Sequence, residues 1–178
     1  MKEQFGKKKN IIIPEKSGLA VLTGAVLFGH QPTSTAKRMR LTYGIRSWPE
    51  WDLQMHLESK RVYLDGVNRC KDIFFKYFQV GELVECCDEE SQVFQAVRPF
   101  ESTLECTIYT SSDPNPLYVT DPSCQRLGNL IVPLPRIQQG EASKILVEIT
   151  MIIGNNELFV RARDLVIGRV FETQFDMC

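Results

Sequence analysis

The chain has 178 residues, of which 43% are hydrophobic and 24% charged, the profile of a globular protein with room for one domain and a small appendage. Its formal net charge of −1 excludes the strong basic field of a dedicated nucleic-acid or membrane-surface protein. The one basic run, Lys7-Lys8-Lys9, reads as a solvated, frayed terminus.

Asn10 to Ile13 reads as a short buried strand. Pro14 and Glu15 then open a helix whose Leu19, Leu22, Ala25, Val26 and Phe28 recur at helical spacing, and Gly29-His30-Gln31-Pro32 stops it. The apolar stretch Gly18 to Gly29 is shorter than the roughly 20 residues a membrane span needs. Ile11 to Lys16 separates it from the lysines, and no small-residue cleavage site follows closely, so no secretory signal is assigned and a cytoplasmic location is expected. Thr33-Ser34-Thr35 is linker-like. The expected division places a strand–helix remnant in 1–36 and a β domain in 37–178.

From Arg38 onward, alternation with a period of two replaces helical spacing. Leu41, Tyr43 and Ile45 alternate, as do Leu53, Met55 and Leu57. Leu104, Cys106 and Ile108 share one strand face, and Leu130, Val132 and Leu134 repeat the pattern. The longest run is Ile145, Val147, Ile149, Met151 and Ile153. Gly154-Asn155-Asn156 turns the chain, and Leu158, Val160 and Ala162 return antiparallel. Asp113-Pro114-Asn115-Pro116 and Asp121-Pro122 mark turns between runs. Cys70 to Gln79 is compatible with strand or helix. Short strands at these intervals predict a mainly β fold, an antiparallel β-sandwich.

Catalytic constellations are scarce. His30 falls at a helix end and His56 alternates outward, toward solvent; neither accompanies a nucleophile motif. Cys86-Cys87 has no CxxC partner and no histidine spacing that completes a tetrahedral metal site. Cys106, on an apolar face, reads as a small hydrophobe. With irregular spacings and no signal peptide, the six cysteines read as reduced thiols. Gly24 and Gly29 belong to no Gly-Lys-Ser or GxGxxG phosphate cradle. No catalytic, metal or cofactor residue is therefore assigned. Sheet edges and apolar loops that capture an extended peptide fit the remaining pattern better.

The stretch IIIPEKSGLAVLTGAVLFGHQP resembles the last strand and helix of the actin-like ATPase domain of the 70-kDa heat-shock chaperones. AVLTGAVLFG followed by RMRLTYGI is most similar to the divergent heat shock 70 kDa protein 12 subfamily. GNNELFVRARD resembles a hairpin of the chaperones' substrate-binding β domain, and TDPSCQRLGNLIVPLP stands in the place of its LG-x-F-x-L strand. The resemblance runs in order from about residue 10 to 175. It implies a substrate-binding β-sandwich behind a remnant of the ATPase domain, and a passive, chaperone-like module for unfolded or extended apolar polypeptide in a stress response. ATP, which the full-length family binds, is not expected to bind here, because the phosphate loops and adenosine site would lie upstream. Arg38-Met39-Arg40 stands where the family's leucine-rich acidic linker would be, and the helical lid would lie beyond Cys178. A lidless domain would release peptide fast.

By position, Ile45 matches the family's first-strand contact in the peptide groove, and Phe94, Leu104 and Cys106 fall near the later ones. The competing reading is that these four fill the sandwich core. Trp48 and Trp51 are either surface anchors or partly buried. Two other functions stay open: an adaptor domain with one dedicated partner, and part of a full-length ATP-binding chaperone. Partners are expected to be polypeptide, not nucleic acid or membrane, and the helix's apolar stripe predicts self-association.

Overall fold

The computed structural model describes residues 17–30, 36–64, 66–96, 103–134 and 145–177; the expected strand at 10–13 and the Pro14-Glu15 helix opening lie outside them. The chain divides into two compact units, Met1–Thr35 and Ala36–Cys178. In the first, a 3-10 turn over Ser17–Leu19 leads into helix α1, Ala20–His30. Its Leu22, Val26 and Leu27, with Leu19 just before it, are exposed.

The second unit is built from strands β1 (Lys37–Arg38), β2 (Thr42–Ser47), β3 (Arg61–Leu64), β4 (Val67–Cys70), β5 (Ile73–Phe78) and β6 (Leu83–Val84). They are followed by β7 (Glu89–Gln95), β8 (Thr103–Ser111), β9 (Cys124–Pro133), β10 (Leu146–Ile153), β11 (Glu157–Asp164) and β12 (Val170–Asp176). One four-stranded sheet has the order β5-β2-β8-β9, the other β12-β11-β10-β7, and β1-β6 and β3-β4 form small ladders. All the ladders among the described residues are antiparallel.

Period-two patterning explains why the two larger sheets stack. On β10, Val147, Ile149, Met151 and Ile153 are buried, and on β11, Leu158, Val160 and Ala162. They meet Tyr43, Ile45, Cys106, Ile108, Leu130 and Val132 of the other sheet in one hydrophobic cluster. Each fully buried aliphatic side chain contributes roughly 1.5–3 kcal/mol, so this shared face is what makes the fold a sandwich. The expected β10–β11 hairpin forms, with Ile153 opposite Leu158 around Gly154-Asn155-Asn156. Cys70 to Gln79 resolves as strand, since β4 ends at Cys70 and β5 begins at Ile73.

Two expectations fail between β2 and β5. Leu53, Met55 and Leu57 do not form a strand: Leu53 and Met55 lie in a turn and Leu57 just before a short 3-10 helix, all exposed, Leu53 at 78%. Local hydrogen bonding wins over the alternation. Asp52 Oδ1 accepts the Gln54 N–H, Asp52 O accepts the His56 N–H, and the Asp52 N–H donates to His56 Nδ1, an Asx-type turn. That bond also holds His56 half-buried, not free in solvent as expected. The β3–β4 hairpin follows, with Gly66 at φ 81 in its turn. Lys60 fastens the insertion: its ammonium lies 3.0 Å from Asp72 Oδ2 and donates to Thr120 Oγ1.

One polar bond crosses the core. Tyr77 on β5 donates its hydroxyl to the Ile149 carbonyl on β10 at 2.9 Å. Burial raises the Tyr77 pKa, and it pushes Cys106 up from 9.0 to about 12. Both groups are therefore easier to ionise in the unfolded chain. Stability should be intact below 9.0, the ordinary thiol value, and should fall as pH rises toward 12. Thermal unfolding across that range checks this, and a Cys106→Ala variant should show a flatter decline. Tyr77→Phe should cost about 1 kcal/mol by removing the bond and leaving the carbonyl short of a donor, read as a lower denaturant midpoint.

Candidate functional site: a cleft at one end of the sandwich

β2 and β8 pair through Ile45 and Ile108, and β10 pairs with β7 through Val147 and Phe94. Past these rungs the two sheets leave a cleft of about 340 Å³ between them, within the roughly 300–1,000 Å³ of small-molecule pockets. All four residues expected to contact peptide, Ile45, Phe94, Leu104 and Cys106, line it.

Their placements differ. Ile45 and Cys106, 2% and 4% exposed, join Ile149 at 2% as the apolar floor and belong equally to the core. Phe94 and Leu104 are half-buried and pack against that core from its margin. The core-filling reading thus describes the floor, whereas the two wall residues keep surface that a ligand can cover. Phe94 is held edge-on by Phe75, ring centroids 5.1 Å apart, and Phe75 contacts Tyr77 in the same manner at 5.5 Å. This aromatic row ties the wall on β7 to β5 of the opposite sheet, and such pairs add about 0.5–1.5 kcal/mol each.

The rim is polar and carries both charges. Arg46 reaches Thr107 Oγ1 at 3.4 Å, and Glu105 accepts from Asn129 at 3.1 Å while facing Arg126 at 3.4 Å. Arg46, Ser47, Trp48, Gln95, Thr103 and Glu105 complete the lining; of these, the sequence points only to Trp48, as either a surface anchor or partly buried. It is half-buried and lines the cleft. Trp51 is half-buried elsewhere, in the insertion, with the Arg61 guanidinium 4.7 Å from its ring centroid. Alternation puts Arg46 and Glu105 on the strand face opposite Ile45, Leu104 and Cys106, so they reach the cleft only at its rim, where the strands end, and the period-two pattern does not point to them.

The chemistry available is apolar contact framed by hydrogen-bonding groups. Cys106 keeps its proton at neutral pH because burial raises its pKa, so it offers a small apolar surface and no nucleophile. Among the described residues, no three His, Cys, Asp or Glu side chains are grouped to hold a metal ion. None of the described helices is long and apolar enough to cross a membrane.

No protein-family model matches the chain. Curated relatives nevertheless align along nearly all of it. The chain is 30% identical to mouse heat shock 70 kDa protein 12A over 97% of its own length and 26% of that protein. It is 28% identical to human heat shock 70 kDa protein 12A over the same shares, 97% and 26%. It is 25% identical to human heat shock 70 kDa protein 12B over 93% of this chain and 25% of the relative. The chain is therefore related to the heat shock 70 kDa protein 12 proteins, and it spans about a quarter of the length of the curated relatives it matches.

Proposed function

We propose that the β domain is a polypeptide-binding module that takes extended, apolar segments into the cleft between its two large sheets. The observation that carries this is the convergence of Ile45, Phe94, Leu104 and Cys106 around one open, apolar-floored cavity. An extended chain presents alternate side chains in one direction, so one side chain can enter the floor while its neighbours lie along Phe94 and Leu104. Arg46, Gln95, Thr103 and Glu105 stand where the peptide backbone would need donors and acceptors. The relation to heat shock 70 kDa protein 12A and 12B supports a chaperone-like role. The action proposed is passive and nucleotide-independent, in the cytoplasm, with no nucleic acid or membrane partner. A leucine-rich peptide carrying a photoreactive benzophenone tests the placement: the reading requires crosslinks at cleft residues from β2, β7 or β8, and crosslinks confined to other surfaces would refute it.

A dedicated-partner reading is favoured by one observation. Leu53, Met55, Leu57 and Tyr63 are all exposed on the insertion between β2 and β5, an apolar surface of the kind partners cover. Unrelated apolar peptides competing for one site would speak for the first reading, and strict selectivity for one sequence would speak for the second. Self-association through α1 is proposed on its exposed Leu22, Val26 and Leu27. Sedimentation should show dimers that a Leu22→Gln, Val26→Gln variant abolishes.

A further inference from the structure

The turn between β6 and β7 carries two adjacent cysteines that the cleft does not use. Cys86 is half-buried and Cys87 exposed, and their sulfurs are 3.6 Å apart. The turn is pinned on both sides. The Glu85 N–H donates to Asp88 Oδ2, the Asp88 N–H returns to Glu85 O, and the Cys87 N–H donates to Ile153 O at 2.7 Å. Cys87 sits at φ 76, a left-handed conformation that residues other than glycine, asparagine and aspartate seldom adopt. The ammonium of Lys37 donates to the Gly154 and Asn155 carbonyls of the neighbouring turn. The two sulfurs thus face each other at the surface.

We propose that Cys86 and Cys87 form a reversible two-electron redox site whose oxidant is a peroxide. One thiolate attacks a peroxide oxygen, the O–O bond breaks and the sulfur becomes a sulfenic acid. The second sulfur then attacks the first, the S–O bond breaks, and the oxygen leaves as water with the second thiol's proton. In sum, two thiols and hydrogen peroxide give one disulfide and two waters. The neighbouring sulfur makes ring closure intramolecular, and it competes with further oxidation of the sulfenic acid.

Geometry makes this disulfide a switch and not a brace. The sulfurs must close from 3.6 Å to about 2 Å. Adjacent Cα atoms are about 3.8 Å apart, whereas disulfides favour about 4.4–6.8 Å. The eight-membered ring is therefore strained, and strained, exposed disulfides are the readily reduced ones. The other described thiols are poor competitors. Cys70 and Cys106 are buried, out of reach of a dissolved peroxide, and Cys124 donates its thiol proton to the Tyr118 carbonyl.

The test uses the full 178-residue chain, reduced, treated with limiting hydrogen peroxide, quenched with catalase, alkylated with N-ethylmaleimide and digested. The peptide holding Cys86 and Cys87 should appear two hydrogens lighter, unalkylated at both cysteines, and dithiothreitol should restore both alkylation sites. In a Cys86→Ser variant the mass loss should vanish, with a sulfenic acid at Cys87 trapped by dimedone. Four outcomes would overturn the proposal: both cysteines fully alkylated after peroxide, a sulfinic acid on one beside a free partner, a disulfide from either to another cysteine, or an 86–87 disulfide that dithiothreitol leaves intact.

Discussion

Replacing Gly44 by alanine should lower the stability of the β domain by about 3 kcal/mol, at the upper end of what overpacking costs. Two effects oppose each other at this position. Glycine inside a strand is entropically costly, so alanine should gain about 0.5–1 kcal/mol. Against that, a Cβ on Gly44 would run into the Phe75 carbonyl oxygen and the Phe74 ring at once. The Phe74 ring can rotate, but the carbonyl belongs to the β2–β5 ladder, where the register already shifts between Tyr43 and Gly44. Relief therefore requires the central strand β2 to move away from β5, and steric cost wins. Gly128 provides the control. The nearest atoms a Cβ there would meet belong to the ring of Phe175 on edge strand β12, which is half-buried and can give way. Gly128→Ala should cost less than about 1.5 kcal/mol. Denaturant titrations of both variants check the order; equal midpoints would mean that β2 is not packed as tightly as described.

Leu104→Asp should weaken the binding of a leucine-rich peptide roughly 10- to 100-fold, because covering a leucine side chain is worth about 1.5–3 kcal/mol and each 1.4 kcal/mol is tenfold. Leu104 stands on the cleft wall and is half-buried, so the domain itself should lose only about 1 kcal/mol. Ile45→Asp is not an equivalent probe. At 2% exposure its carboxylate would be buried in the core without a partner, and the expected result is unfolding. Affinity lost at constant stability is what separates a binding wall from a packing residue. Calorimetry on Leu104→Asp beside the binding assay reads both. A variant that unfolds would place Leu104 in the core, and one that binds normally would place the peptide elsewhere.

The parts of the fold that are legible in the sequence are those where one strand face is uniformly apolar and the other is mixed. Val147, Ile149, Met151 and Ile153 alternate with Glu148, Thr150 and Ile152, a face that is half-buried except for the buried Thr150, and the Asn155-Asn156 turn supplies the reversal, so the β10–β11 hairpin can be read directly. The same alternation misled at Leu53, Met55 and Leu57, because Asp52 and His56 close a turn with bonds that hydropathy does not register. The β3–β4 hairpin went unread although Asp65-Gly66 between Leu64 and Val67 is a turn signal. It stands apart from both large sheets, so no long apolar run announces it.

The cleft was legible in part. Ile45, Leu104 and Cys106 lie on strands with clear alternation, and the resemblance to a known peptide groove pointed to them and to Phe94. What could not be read is where the sandwich opens. β7 and β8 are adjacent in sequence but belong to different sheets, and their ends frame the cavity together with Arg46, Trp48 and Ile149. That convergence is tertiary, and local patterning carries no trace of it. Cys86 and Cys87 lack the CxxC partner of a metal site; their facing sulfurs depend on the left-handed backbone at Cys87, which nothing in the residue types foretells.

The central claim is that this domain binds extended apolar polypeptide, and fluorescence anisotropy tests it most directly. A labelled, leucine-rich extended peptide is titrated with the full chain, with and without ATP. The account predicts saturable binding, indifferent to ATP and weakened by Leu104→Asp. Absence of binding to several unrelated apolar peptides, or binding that Leu104→Asp leaves unchanged, would contradict it.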